Sequence, residues 1–289
     1  MRPSSFEYHK ATSLEHALEL LARFGEGGRP LAGGQSLVPM MNLRLARPNH
    51  LVDINHLPLA SIVFNPPVMR VGGLVRHEQY FANPHIKAHF PAFHDAVHCI
   101  GHPTIRRRGT IGGSISHADP TAELPAMAVL YDAVIVASSQ AGERRIRATD
   151  FFRGAYVTAL EPGEMVTAIE FPIPPANSTG SFIELGERKG DFAIAGMGVS
   201  IEFDRETIGK AAVVCSGADL KPVRAREVEQ HLVGRSLRSP DSAGAGKAYA
   251  AVVEPAGDHL ASTDYRKNLI GELTRRAIDA ACARALGKS

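Results

Sequence analysis

Two stretches of the chain place a glycine pair beside hydroxyl side chains: AGGQSL at 32–37 and TIGGSISH at 110–117. Glycine tolerates positive φ and leaves neighbouring amides uncovered, so successive N–H groups can converge on an anion while Ser and Thr add donors. Such a backbone can cradle a phosphate. A lone Gly-Gly is usually only a tight turn, but two loops of one design carry more weight. Neither loop holds the Lys of G-x-x-x-x-G-K-[ST] or matches G-x-G-x-x-G, which excludes the P-loop and the Rossmann fingerprint. Asp53 sits at a Rossmann-like distance from Gly33, yet without that fingerprint it reads as a structural residue at a strand end. Arg106, Arg107 and Arg108 run directly into the second loop, where they could steer an anion or meet a partner chain.

Other reactive groups make weaker patterns. His94, His98 and His102 recur every four residues, but Gly101 and Pro103 interrupt the helix before the third can join, so a solvated face is expected rather than a metal site. His117, Asp119 and Glu123, with Ser114 or Ser116, could suggest an acid–base cluster; no G-x-S-x-G elbow accompanies them. No catalytic residue and no metal ligand is assigned. Cys99, Cys215 and Cys282 lie far apart, which excludes a disulfide framework, a zinc ribbon or an iron–sulfur set on this chain and suits a reducing cytoplasm.

The elements that must position these loops follow from periodicity. Thr12 and Glu15 form a capping-box pattern ahead of Leu14, Ala17, Leu18 and Leu21, one face of a helix that Gly25 ends. LVDI at 51–54 reads as a buried strand, AVIVAS at 133 and MVTAIEF at 165 as further strands, and 91–100 as a helix. The prolines of PIPPANSTG at 172–180 mark a domain boundary. Beyond it come three strands and helices at about 223–233, 242–255 and 264–286. The last is capped by Ser262, Thr263 or Asp264 and carries an apolar face of Leu269, Ile270, Leu273, Ala277, Ile278 and Ala281, with Tyr265, Arg266, Arg275 and Arg276 on the solvent or interface side. The 289 residues, 44% apolar and 21% charged, can bury two cores. A net charge of +2 with interleaved signs gives no face for nucleic acid or anionic lipid. No signal peptide and no membrane span is expected.

PLAGGQSLVPMMNLRL at 30–45, TIRRRGTIGGSISHADPTAELPA at 104–126 and ERKGDFAIAG at 187–196 resemble, in order and spacing, the FAD-binding medium subunit of the molybdenum hydroxylases. This family includes carbon monoxide dehydrogenase, quinoline and nicotine hydroxylases and the flavin segment of xanthine dehydrogenase. The resemblance implies an α+β chain with an FAD-binding domain of the vanillyl-alcohol-oxidase/PCMH type at 1–176. Within it a small α/β subdomain (about 1–56) precedes a larger mixed subdomain (57–176), and a C-terminal domain at 177–289 holds a three-stranded antiparallel sheet with helices. It implies that Leu31, Ala32, Gly33, Gly34, Gln35, Ser36, Leu37 and Val38, with Thr110, Ile111, Gly112, Gly113 and Ser114, cradle the FAD pyrophosphate. Glu123 and His117 are then polar groups beside the cofactor, Ile100 and Val166 contact its flavin and adenine portions, and Phe192 lies against the isoalloxazine on a turn set by Asp191. Glu184 stands where several relatives carry a lysine, a contact that Arg188 or Lys189 could supply.

The function so implied is electron transfer within a heterotrimer in the cytoplasm. A large molybdopterin subunit hydroxylates substrate, a small subunit relays electrons through two [2Fe-2S] clusters, and FAD on this chain passes them to an external acceptor, within a dimer of heterotrimers. The alternatives are a self-contained FAD oxidase or dehydrogenase and an assembly module without flavin.

Overall fold

The computed structural model describes residues 2–287. The first unit is a three-stranded parallel sheet. β1 (Glu7–Lys10) is followed by α1 (Leu14–Phe24), β2 (Gly28–Leu31), α2 (Leu37–Asn42) and β3 (His50–Asp53), with β3 between the other two. Ser13 caps α1, its hydroxyl accepting from the His16 amide at 3.1 Å, so the cap falls one residue after the expected Thr12. Ala17, Leu18, Leu20 and Leu21 are its buried face, packed with Val52, Ile54 and Met165.

The second unit is an antiparallel sheet ordered β4-β5-β10-β6-β7. β4 (Ile62–Asn65) and β5 (Val68–Gly72) form one edge. Five helices follow before the chain returns to the sheet: α3 (Pro84–His89), α4 (Pro91–Val97), α5 (Pro103–Arg106), α6 (Ile111–His117) and α7 (Glu123–Leu130). β6 (Val134–Ser139) and β7 (Gly142–Arg147) make the other edge. A helical turn α8 (Ala148–Phe151) and a small pair, β8 (Phe152–Gly154) and β9 (Val157–Thr158), lead to the central β10 (Met165–Pro172). β10 is buried along seven of its eight residues, which explains why MVTAIEF shows no alternation of apolar and polar positions. Its one acid, Glu170, is held by Arg70 from β5 and Arg145 from β7.

The third unit is antiparallel: β11 (Ser178–Gly186), β12 (Ala193–Asp204), β13 (Thr207–Ser216) and a two-residue fourth strand, β14 (Val223–Arg224), where the sequence suggested three. It takes the first turn of the expected 223–233 helix, leaving α9 (Arg226–Leu232). α10 (Ser242–Val252) and α11 (Thr263–Ala285) complete the chain. Ser262 caps α11, and Ile270, Leu273, Ala277, Ile278 and Ala281 are buried against the sheet. Arg266 is also buried, against the expectation of an exposed or interface role: it donates to the Ile194 carbonyl and pairs with Asp258 at 2.6 Å. A buried guanidinium is tolerated because carboxylate and carbonyl partners compensate its desolvation.

The sheet of the third unit is covered on both faces. Val199, Ile201 and Val213 pack with α9–α11, whereas Phe182, Ala212 and Val214 enter the core that holds α4 and α7. Glycine makes this second contact close. A Cβ on Gly198 would stand 2.8 Å from Met127 Cε and 3.3 Å from Leu130 Cδ2 of α7. Arg284 of α11 adds a polar tie to Asp95 of α4, at 3.1 Å. Replacing Gly198 by Val should overpack this seam and cost about 1–3 kcal/mol of stability, read as a lowered Tm; an unchanged Tm would show that α7 yields freely.

Candidate functional site

The first glycine loop leaves β2 at Leu31 and turns through Gly34 in the left-handed region, φ 70°, before α2 starts at Leu37. Gln35 folds its amide back onto the Gly33 carbonyl at 3.1 Å. Gly33 is required sterically, because a Cβ there would fall inside the Arg108 carbonyl group and 3.0 Å from the Gly109 Cα. The two loops, far apart in sequence, thus meet backbone to backbone. Arg76 fastens the junction by donating to the Arg108 carbonyl and, at 2.6 Å, to Asn55 Oδ1. Asn55 in turn donates to the Ala32 carbonyl at 2.9 Å and to Asp53 at 2.7 Å. Asp53, which also accepts from the Tyr8 hydroxyl, is the structural strand-end residue the sequence suggested.

The second loop differs in its hydrogen bonds. Thr110 caps α6, its hydroxyl accepting from the Gly113 amide at 3.1 Å. Ile111, Gly112 and Ser114 donate to the carbonyls of Val75 (3.1 Å), Gly73 (2.9 Å) and Thr110 (3.0 Å). Its amides are therefore spoken for, whereas the amides of Gly33 to Leu37 make no hydrogen bond among the described residues. The first loop supplies the open donors; the second supplies a close, side-chain-free backbone. Gly112 presses on Gly73, whose carbonyl would lie 2.6 Å from a Cβ, and Gly73 presses on the Val166 carbonyl at 2.5 Å. Val166 is consequently buried directly behind the cradle. Gly113 faces outward, and a Cβ on it would meet only Thr110 Oγ1, at 2.9 Å.

Next to the first loop lies a cavity of about 410 Å³ lined by Asp53, Asn55, His56, Arg76, Arg107 and Arg108. Burial and the neighbouring Arg108 depress the pKa of Arg76, so positive charge is crowded here in the way an anion would relieve. The three consecutive arginines divide their work. Arg107 and Arg108 line this cavity, while Arg106 bonds the carbonyls of Ile100 (3.0 Å) and Gly101 (2.5 Å) and covers the Phe81 ring at 5.1 Å.

That Ile100–Gly101 turn receives the third unit. Gly190, at φ 89°, would place a Cβ 3.0 Å from the Gly101 carbonyl and 3.0 Å from His102 Nδ1, so the hairpin turn of β11 and β12 sits directly on it. Asp191 closes the turn by donating its amide to the Arg188 carbonyl at 3.1 Å. Phe192, next in the chain, is 69% exposed although its neighbours on β12 are buried, leaving a free aromatic face beside Ile100's turn. His102, starting α5, takes no part in a histidine row; His94 and His98 meet only edge to face, at 5.1 Å.

Glu123 opens α7, and Glu184 projects from β11 into the same region. Burial, then each other's proximity, drives Glu123 up to about 8; burial raises Glu184 to about 7. The thiol of Cys99 is pushed up to about 12 by burial and by these two acids. Glu184 Oε2 is buried with no hydrogen-bond partner. His117 lies half-buried with its ring 5.0 Å from that of Tyr156, and burial lowers its pKa. Sequence reading missed Asn55, Arg76, Gly73 and Cys99. Only Gly73 left a signal, as the second glycine of VGGLV.

The residues present fit a dinucleotide of the FAD type: open amides and arginines for a diphosphate, glycines where a Cβ would close the cradle, an exposed aromatic ring at Phe192, and one buried, unpartnered carboxyl oxygen on Glu184. The sequence comparisons agree. Residues 4–174 match the family described as the FAD binding domain in molybdopterin dehydrogenase, and residues 181–281 the CO dehydrogenase flavoprotein C-terminal domain. The chain is 37% identical, over 99% of its length and 97% of the relative's, to the 6-hydroxypseudooxynicotine dehydrogenase complex subunit alpha of Paenarthrobacter nicotinovorans. It is 34% identical, over 99% of both chains, to the carbon monoxide dehydrogenase medium chain of Afipia carboxidovorans. Among solved structures, reconstituted CO dehydrogenase from Oligotropha carboxidovorans superposes with a TM-score of 0.95 at 34% identity, covering 98% of this chain and 100% of that one. Quinoline 2-oxidoreductase from Pseudomonas putida 86 gives 0.94 at 31%, covering 99% and 100%. The chain belongs to the FAD-binding medium subunits of the molybdenum hydroxylase family.

Proposed function

We propose that this chain carries electrons out of a heterotrimeric molybdenum hydroxylase, receiving them from [2Fe-2S] clusters on a small subunit and delivering them to an external acceptor, while a large molybdopterin subunit oxidises the substrate. The assembly is a cytoplasmic dimer of heterotrimers. The observation that carries the reading is the backbone junction of two glycine loops beside open amides and three arginines. No helix among the described residues is long and apolar enough to cross a membrane.

Bound FAD supplies a carrier that accepts electrons singly and releases them in pairs. The chain's own residues bind and orient it. The amides of Gly33, Gly34, Gln35, Ser36 and Leu37 hold the pyrophosphate from one side, with Leu31, Ala32 and Val38 shaping the loop. Thr110, Ile111, Gly112, Gly113 and Ser114 let the second loop approach from the other side. Ile100, Val166 and Phe192 are the apolar contacts, Asp191 fixes the turn that presents Phe192, and His117 serves as a hydrogen-bonding group. The pair Glu123 and Glu184 keeps a proton near neutral pH, carried mainly by Glu123, whose pKa is raised to about 8 against about 7 for Glu184. No acid–base step on a substrate is required of this chain. Residues 1–176 act as the FAD domain, in subdomains 1–56 and 57–176, and 177–289 as the domain that closes the flavin end.

Gly113→Val places bulk on the open face of the cradle without touching the core, so FAD content per chain should fall at least about tenfold, with a Tm of the flavin-free protein within a few degrees of wild type. Full FAD occupancy in that variant would refute the cradle assignment.

The carboxyl pair makes a second prediction. Both acids have folded pKa values above the ordinary 4.5, so between about 4.5 and about 8 the native chain binds more protons than the unfolded one. Stability therefore falls as pH rises through that window. Glu184→Gln removes one acid and the repulsion felt by the other, so the decline in Tm between pH 5 and pH 8.5 should be at least halved. A decline as steep as that of wild type would show that this pair does not set the pH dependence of stability.

A further inference from the structure

On the face of the small parallel sheet that α1 covers, three metal-ligating side chains converge. In the β1–β3 pairing Glu7 lies directly opposite His50, and His9, two residues further along β1, shares the face of Glu7 because strand side chains alternate. On the other flank of β3, His50 is opposite Gly28, which has no side chain. Phe24, at the end of α1, occupies the space so left: it stacks on His50 at 3.9 Å with an interplanar angle of 10°, and lies 4.6 Å from the His9 ring. Backbone register and an aromatic floor together fix the orientation of both imidazoles.

The ligand atoms form a nearly equilateral triangle. His9 Nε2 to His50 Nδ1 is 3.2 Å, His9 Nε2 to Glu7 Oε2 3.5 Å and His50 Nδ1 to Glu7 Oε2 3.4 Å. Four ligands held tetrahedrally at about 2.0–2.1 Å from a zinc ion are separated by about 3.3–3.4 Å, so these three atoms match one face of that tetrahedron. Hydrogen bonding accounts for the triangle less well. One proton can join the two imidazoles but cannot also serve both of their edges with the carboxylate, and charging both rings would set two cations side by side. The two histidines are half-buried and Glu7 is exposed, which leaves the fourth vertex to water.

We propose that Glu7, His9 and His50 bind a divalent first-row transition metal of the zinc class, coordinated by His9 Nε2, His50 Nδ1 and a Glu7 carboxylate oxygen. The donor set of two imidazoles and one carboxylate suits that class and not calcium or magnesium. The ion ties β1, an edge strand of only four residues, to the central β3. At its far end β3 carries Asp53, which accepts from Tyr8 and Asn55 and so reaches the first glycine loop. The site lies apart from the residues assigned to FAD, and zinc undergoes no redox chemistry, so its role is structural.

The test is zinc titration by calorimetry into the untagged, chelator-treated, FAD-loaded full chain, with Tm followed in parallel. One zinc per chain and a raised Tm are expected. His9→Ala and His50→Ala should each weaken binding by more than about 100-fold, beyond the 10–100-fold that loss of a supporting partner outside the ligand shell costs, and remove the Tm increase while FAD content stays normal. His9→Gln and His50→Gln, which keep more of the packing on Phe24, serve if an alanine variant fails to fold. Absence of zinc binding, or binding of wild-type strength in the histidine variants, would overturn the proposal.

Discussion

The arrangement depends on one steric constraint: backbone must touch backbone where Gly33 meets Arg108 and Gly109. Each loop alone is an ordinary turn. Their contact turns two turns into a single surface with donors on one side and bare main chain on the other. The same device is repeated behind it, where Gly112 rests on Gly73 and Gly73 on Val166. A side chain at any of these positions would separate the layers, because carbonyl groups inside a packed core cannot yield as a flexible side chain can.

The remainder of the fold holds this contact in register. The parallel sheet delivers the first loop at the end of β2, and the amide and carboxylate of Asn55 and Asp53, just past β3, are at hand to bind it. Central β10 supplies the carbonyls on which Gly73 rests, and its burial on both faces makes it a rigid support. Arg76 spans the two subdomains, with one end on Asn55 and the other on Arg108. It is the type of residue suited to this position, since a planar guanidinium stays charged when partly desolvated and can serve several acceptors at once.

Features whose cause is local were legible in the sequence. The two glycine pairs mark where backbone comes close without side chains, although which of them leaves its amides open was not legible, and the apolar face of α11 follows from spacing alone. Features that depend on distant partners were not legible. Arg266 reads as a solvent residue until β12 brings the Ile194 carbonyl to it, and β14 is too short to show periodicity. Glu123 and Glu184 are individually unremarkable acids; their raised pKa values arise only when α7 and β11 bury them together. Even the arginine run could not be divided from sequence, because Arg106 differs from Arg107 and Arg108 only in the carbonyls it happens to reach.

Across PIPPANSTG the chain passes from one sheet to another, β10 ending at Pro172 and β11 starting at Ser178. Glu184 stands on the C-terminal sheet and Phe192 on the turn between its strands β11 and β12, whereas Ile100, Cys99 and Glu123 belong to the unit before it. Gly198 and Gly190 are the points at which the two approach, one against α7 and one against Gly101 and His102. A flavin carrier has a physical reason for this construction. Taking up an electron changes the charge of the ring, and a group that can hold or release a proton nearby limits the electrostatic cost. Placing two acids on separate units, in a seam closed by packing, keeps water out and their pKa values high. The C-terminal unit therefore takes part in the electrostatics of this seam, because burial and then Glu184 from β11 raise the pKa of Glu123 on α7.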